Sequence, residues 1–112
     1  MQKIRLKDKE RKALLTFVTQ VKQSLGRNIV SIRLFGSKVR GTSQPDSDID
    51  VLVAVRQLSS KVKDAIIDIA FDVNLEFGVY ISPRVVLGKI FTTRVWRITP
   101  FIKNVQKEGI LL

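Results

Sequence analysis

The stretch LFGSKVRGTSQPDSDIDVLV, Leu34 to Val53, sets three aspartates within five residues, shortly after a Gly36-Ser37 turn. On its left, Val30, Ile32 and Leu34 alternate with Ser31 and Arg33, which predicts a strand over Ile29–Phe35. Gly36-Ser37 breaks that strand, a turn or short helix follows, and Gly41-Thr42-Ser43-Gln44-Pro45 is a loop by composition. On its right, Ile49–Val55 is a second strand. Its apolar run continues on both faces after Asp50, so it should be central in a sheet.

Further out the period changes from two to about four. Leu14, Phe17, Val18, Val21 and Leu25 make one apolar stripe, so a helix should run from about Lys7 to Leu25 and stop at Gly26. A second helix, about 60–77, is capped by Ser59 or Ser60, buries Val62, Ile66, Ile69, Ala70, Val73 and Phe77, and ends at Gly78. Val79–Val86 is a third strand; Pro83 places it near an edge or at a bend. A short helix follows around Leu87–Arg94. Thr99-Pro100 then opens a final helix that Gly109 terminates, and Leu111 and Leu112 follow it. The order is helix, strand, turn, strand, helix, strand, helix: an α/β or α+β chain around a small sheet, expected as a single domain over residues 1–112.

Composition narrows the chemistry. With 45% hydrophobic residues the chain can bury a core, and no apolar run approaches the ~20 residues of a membrane-spanning helix. The charged start MQKIRLKDKERK does not read as a signal peptide, and cytoplasmic location is the default. The absence of cysteine removes disulfides and thiolate metal sites. The absence of histidine removes the usual general base and the usual transition-metal ligand. Any metal must therefore be a hard cation held by oxygens. A net charge of +10 points to a polyanionic partner (nucleic acid, nucleotide phosphates or an acidic protein face) or to a solvated basic surface.

Asp48 and Asp50 lie two apart at the start of a strand, so their side chains leave the same face. Two like charges that close are costly unless a cation joins them. Magnesium fits, because it takes one or two carboxylates, keeps waters and is shared with substrate phosphates. Gly36 lets a phosphate approach the backbone, Ser37 offers a hydroxyl and an N–H, and Lys38 and Arg40 lie nearby to meet negative charge. For a lone Asp-x-Asp the plainer reading is turn and strand-cap residues. Here Gly36, Ser37, Gly41, Ser47, Asp48 and Asp50 occur together in order, and each match has a chance of roughly one in fifteen to one in twenty.

In this pattern GSKVRGTSQPDSDID resembles the Gly-Ser-x-x-x-Gly … Ser-Asp-x-Asp signature of the polymerase-beta-like nucleotidyltransferases, in their minimal single-domain branch. The resemblance implies their fold, a small mixed three-stranded sheet packed with helices in the order α-β-α-β-α-β-α. It implies transfer of a nucleoside monophosphate from a triphosphate, such as AMP from ATP, to a hydroxyl with release of pyrophosphate. Gly36, Ser37, Lys38, Arg40 and Ser47 would then bind the nucleotide, and Asp48 and Asp50 would hold two magnesium ions. It also implies a partner, since minimal members are commonly paired with a helical HEPN-domain toxin that they adenylylate and silence as antitoxins. One element departs from the pattern. Active members carry a third carboxylate on the next strand, whereas this chain has no Asp or Glu from Phe77 to Lys107. Tyr80 and Ser82 share one face there and are the expected occupants of that position. Two readings follow: an active transferase, or a catalytically impaired subunit that inhibits its partner by binding.

Two other features call for weighing. Asp64, Asp68, Asp72 and Glu76 form an acidic stripe on the second helix: a solvated face, a docking surface for a basic partner or, at Glu76, a source of a metal ligand. Trp96, with Phe91, Arg94, Arg97 and Phe101, could stack on a nucleic-acid strand, though core or interface anchoring is the more ordinary role. A basic nucleic-acid-binding module is thus a further alternative, and homo- and hetero-oligomers are both compatible with the sequence.

Overall fold

The computed structural model of the chain describes residues 6–36, 48–91, 99–100 and 109–112. Helix α1 spans Asp8–Leu25, and its stripe of Ala13, Leu14, Phe17 and Val21 is buried as the periodicity requires. Asp8 and Glu10 stand in its first turn, where negative charge suits the helix dipole. The buried Glu10 also reaches back to accept a hydrogen bond from the Lys7 N–H at 2.9 Å. Helix α2 spans Ser60–Phe77; Ser59 caps it, its Oγ accepting from the Val62 N–H at 3.2 Å. Gly78 ends it in the left-handed conformation at φ 65°, and its N–H bonds the Asn74 carbonyl.

Strands β1 (Ile29–Phe35), β2 (Ile49–Val55), β3 (Ile81–Leu87) and β4 (Ile110–Leu111) form one sheet in the order β3-β2-β1-β4. β1 runs antiparallel to β2 and to β4, and β2 runs parallel to β3, with α2 as the crossover between them. The sheet is mixed, as expected, but has four strands where the sequence suggested three. The addition is β4, whose two residues are too few to show any alternation. It is held by its pairing with Arg33 and Leu34 and by the Leu112 N–H, which donates to the Ile32 carbonyl at 2.7 Å. The turn between β1 and β2, the helix expected from Pro100 and the segment around Trp96 lie outside the described residues, while Gly88–Phe91 forms a 3-10 turn.

Both helices cover one face of the sheet. Ile32 and Leu34 of β1, Ile49, Val51, Val53 and Val55 of β2, and Ile81 of β3 join the helix stripes in a single core. Each such side chain contributes about 1.5–3 kcal/mol through removal from water. Leu52 and Ala54, on the opposite face of β2, are also buried, which matches the central position expected for this strand.

The start of β3 is fastened from α2 by one side chain. The Asn74 amide donates to the Ile81 carbonyl at 3.1 Å, and its Oδ1 accepts from the Ile81 N–H at 2.8 Å. These bonds occupy the side of Ile81 that faces away from β2. Pro83, two residues on, has the same orientation, so its missing N–H costs no bond to β2. Strand β3 begins at Ile81 rather than at the expected Val79: the Gly78 and Val79 N–H groups are tied back to the Asn74 carbonyl, and the Tyr80 carbonyl makes the first bond to β2.

Asn74→Ala should lower stability by about 2–3 kcal/mol, since it leaves both backbone groups of the buried Ile81 without their partners. Urea unfolding followed by circular dichroism checks this; a loss below about 0.5 kcal/mol would show that the amide is not what holds β3.

Candidate active site

The acidic positions are set by strand parity. Ile49 and Val51 point into the core, so Asp48 and Asp50 leave the opposite face of β2, away from both helices. Asp48 is exposed and stands one residue before the strand; Asp50 is half-buried and already engaged in an interaction within the fold. The backbone between them is pinned by the Ile49 N–H, which donates to the Tyr80 carbonyl at 2.8 Å.

Gly36 is the first residue beyond β1, and the antiparallel register places its neighbour Phe35 opposite Asp50. The result is a direct approach of the Gly36 α-carbon to the Asp50 carboxylate. A Cβ at Gly36 would overlap Asp50 Oδ2 and lie 3.2 Å from its Cγ. The φ of Gly36 is 81°, a conformation that side chains resist. Glycine is therefore required twice over, once by the backbone and once by the carboxylate above it. Ser37, Lys38, Arg40 and Ser47, the other residues expected to contact nucleotide, lie outside the described residues.

The parallel register fixes the third-strand candidates. Ile81 pairs with Ile49 and is buried in the same core, so Tyr80 and Ser82 emerge on the face of Asp48 and Asp50. Ser82 is paired with Asp50, about 4.8 Å away across the ladder. Tyr80 is 67% exposed and lies beside the Asp48 end of β2. Among the described residues no three acidic side chains come together. Glu76 and the acids before it stand on the exposed side of α2, a helix that covers the other face of the sheet, so the helix stripe does not supply the absent carboxylate.

Two arginines on this face were read from the sequence only as strand residues, not as site residues. Arg33 of β1 and Arg84 of β3 both pair with Leu52, two residues along β2 from Asp50, and flank it from either side. Both are engaged in interactions within the fold. Long side chains reach a diagonal neighbour across a sheet, so both cations lie within range of the Asp50 position. Parity was the available signal: each arginine is an even number of residues from the positions paired with Asp50.

The donor set suits a hard divalent cation. Two carboxylates on one face supply oxygens, and that of Asp50 lies directly against the Gly36 backbone at the end of β1. Gly36→Ala should cost about 1–3 kcal/mol, combining strain at φ 81° with displacement of the Asp50 carboxylate. Thermal and urea unfolding of Gly36→Ala, Asp50→Ala and the double variant form a cycle. The double variant should be more stable than the sum of the single losses implies, because the collision needs both side chains.

Comparison with known proteins gives the family. Residues 14–112 match the family model described as a nucleotidyltransferase domain. Three relatives come from Methanocaldococcus jannaschii. "Putative protein adenylyltransferase MJ0604" is 34% identical over 92% of this chain and 97% of its own length. "Putative protein adenylyltransferase MJ0141" is 36% identical over 82% of this chain and 83% of its own. "Putative protein adenylyltransferase MJ1305" is 37% identical over 62% of this chain and 50% of its own. With the matched region enclosing the Gly36–Asp50 segment and all four strands, the chain belongs to the nucleotidyltransferase-domain family.

Proposed function

We propose that the chain is a magnesium-dependent nucleotidyltransferase that moves AMP from ATP to a hydroxyl of a partner protein. The observation that carries this is the Asp50 carboxylate lying against Gly36, with Asp48 on the same face. Asp48 and Asp50 are the residues that would hold magnesium, which when bound neutralises triphosphate charge and favours attack by the acceptor hydroxyl. Gly36 gives the triphosphate access to backbone, Ser37 and Ser47 offer hydroxyls, and Lys38 and Arg40 offset phosphate charge. Arg33 and Arg84, both paired with Leu52, add positive charge on the face of β2 that carries Asp50. The relatives' names support a protein as acceptor. The acceptor we propose is a helical HEPN-domain toxin, silenced by the modification, with this chain as its antitoxin.

A second reading has its own observation. Tyr80 and Ser82 occupy the β3 face beside Asp48 and Asp50, and neither hydroxyl is a good magnesium ligand at neutral pH. On that reading the chain inhibits its partner through contact alone.

The test is transfer of label from ATP, labelled in its α-phosphate, to a HEPN-domain protein in the presence of magnesium. Asp48→Asn should lower the rate by about 100–1000-fold, as expected for loss of a principal electrostatic contact, with the melting temperature little changed. Transfer by Asp48→Asn at the wild-type rate would sink the proposal. A stable complex without label, retained in Asp48→Asn and Asp50→Asn, would establish the second reading. Ser82→Asp and Tyr80→Asp should raise transfer by about tenfold at whichever position completes the carboxylate set. A fall in rate for both would show that the hydroxyls themselves belong to the site.

A further inference from the structure

Among the described residues, two apolar surfaces of the helical layer are left open, and their borders carry opposite charge. On α2, Ile67, Phe71 and Leu75 are 43%, 61% and 70% exposed, and their spacing of four makes them one continuous ridge. Asp64, Asp68, Asp72 and Glu76 run alongside it, all exposed. On α1, Leu15 is 69% exposed, with Arg11 and Lys12 one turn before it, Lys22 two turns after and Asp8 two turns before, so that its charged border is positive on balance. Beside Leu15 is a groove of about 250 Å3, lined by Leu6, Arg11, Leu14, Leu15, Val18 and Leu112. That is several times the ~30 Å3 a water occupies in the liquid, so a large side chain fits.

We propose that the chain associates head to tail with copies of itself, the α2 ridge of one copy seated in the α1 groove of the next. Phe71 fills the groove, and the acids of α2 face Arg11, Lys12 and Lys22. Charge selects this occupant. The acidic border repels polyanions and anionic membranes. Packing α2 on α2 through the ridge would set one acidic stripe against another, which is destabilising. A positively bordered apolar groove is the complement required, and a chain of net charge +10 carries one itself. The two surfaces are different patches, so the contact is heterologous and closes into a ring or grows as a filament. Asp48 and Asp50 leave the opposite face of the sheet, so the association does not draw on the nucleotidyl-transfer reading.

Sedimentation of the full chain over a range of concentrations and salt tests this. The expected mass is at least twice that of the 12.7 kDa monomer, rising with concentration and falling as salt increases. Phe71→Asp and Leu15→Asp, both at exposed positions, should each sediment as monomers with unchanged helical circular dichroism. Mixed together, they should form a one-to-one heterodimer, because one keeps an intact groove and the other an intact ridge. Should either variant misfold, Asp68→Lys and Lys12→Glu replace the pair with the same expected outcome. A monomer at every concentration overturns the proposal. So does assembly that survives both substitutions, or a mixture that stays monomeric.

Discussion

Ile49 stands between Asp48 and Asp50, and its complete burial against the helices fixes where both acids go. A strand cannot rotate one residue without reversing its neighbours, so the core that seats Ile49, Val51 and Val53 also holds the carboxylates on the far face. The same parity acts on β3 through Ile81 and on β1 through Leu34. The acids, Ser82, Arg33 and Arg84 are thus placed by side chains that never touch them. Any change that slipped β2 by one residue would turn Asp48 and Asp50 toward the helices and bury two charges, a large cost for a small chain.

Much of this was legible because periodicity and caps agreed. The four-residue spacing of α1 and α2, the Ser59 cap and the Gly78 stop all follow from local chemistry, and local chemistry is what a sequence displays. The centrality of β2 was also legible, since Val51–Val55 is apolar at every position. β4 was not, because two residues have no period and owe their strand to the neighbour they pair with. The start of β3 was misplaced by two residues, and the Asn74 amide that clasps Ile81 is a tertiary device: asparagine before a glycine stop reads as a helix end, not as a clasp on a strand.

The site was legible in its acids and incomplete in its cations. Asp48, Asp50 and Gly36 announced themselves through spacing, and the closeness of Gly36 to Asp50 gives that spacing a physical cause. Arg33 and Arg84 gave no such notice. They lie on strands separated by a helix, and only the register of both strands on Leu52 sets them on either side of the same position. Phe71 and Leu75 lie off the α2 stripe of Val62, Ile66, Ile69, Ala70, Val73 and Phe77, which the spacing assigned to the core and the structure packs there.

The Asn74 amide has one more effect, on what the sheet refuses. An outer strand ordinarily offers a row of free backbone donors and acceptors on which another strand can zip. At the outward side of β3 the first pair is already taken by Asn74, and the next outward position, Pro83, has no hydrogen to give. An incoming strand would find neither a starting pair nor a second rung. Among the described residues, the leading end of this outer strand is thereby shielded from strand addition, and an incoming chain could pair only from Val85 onward.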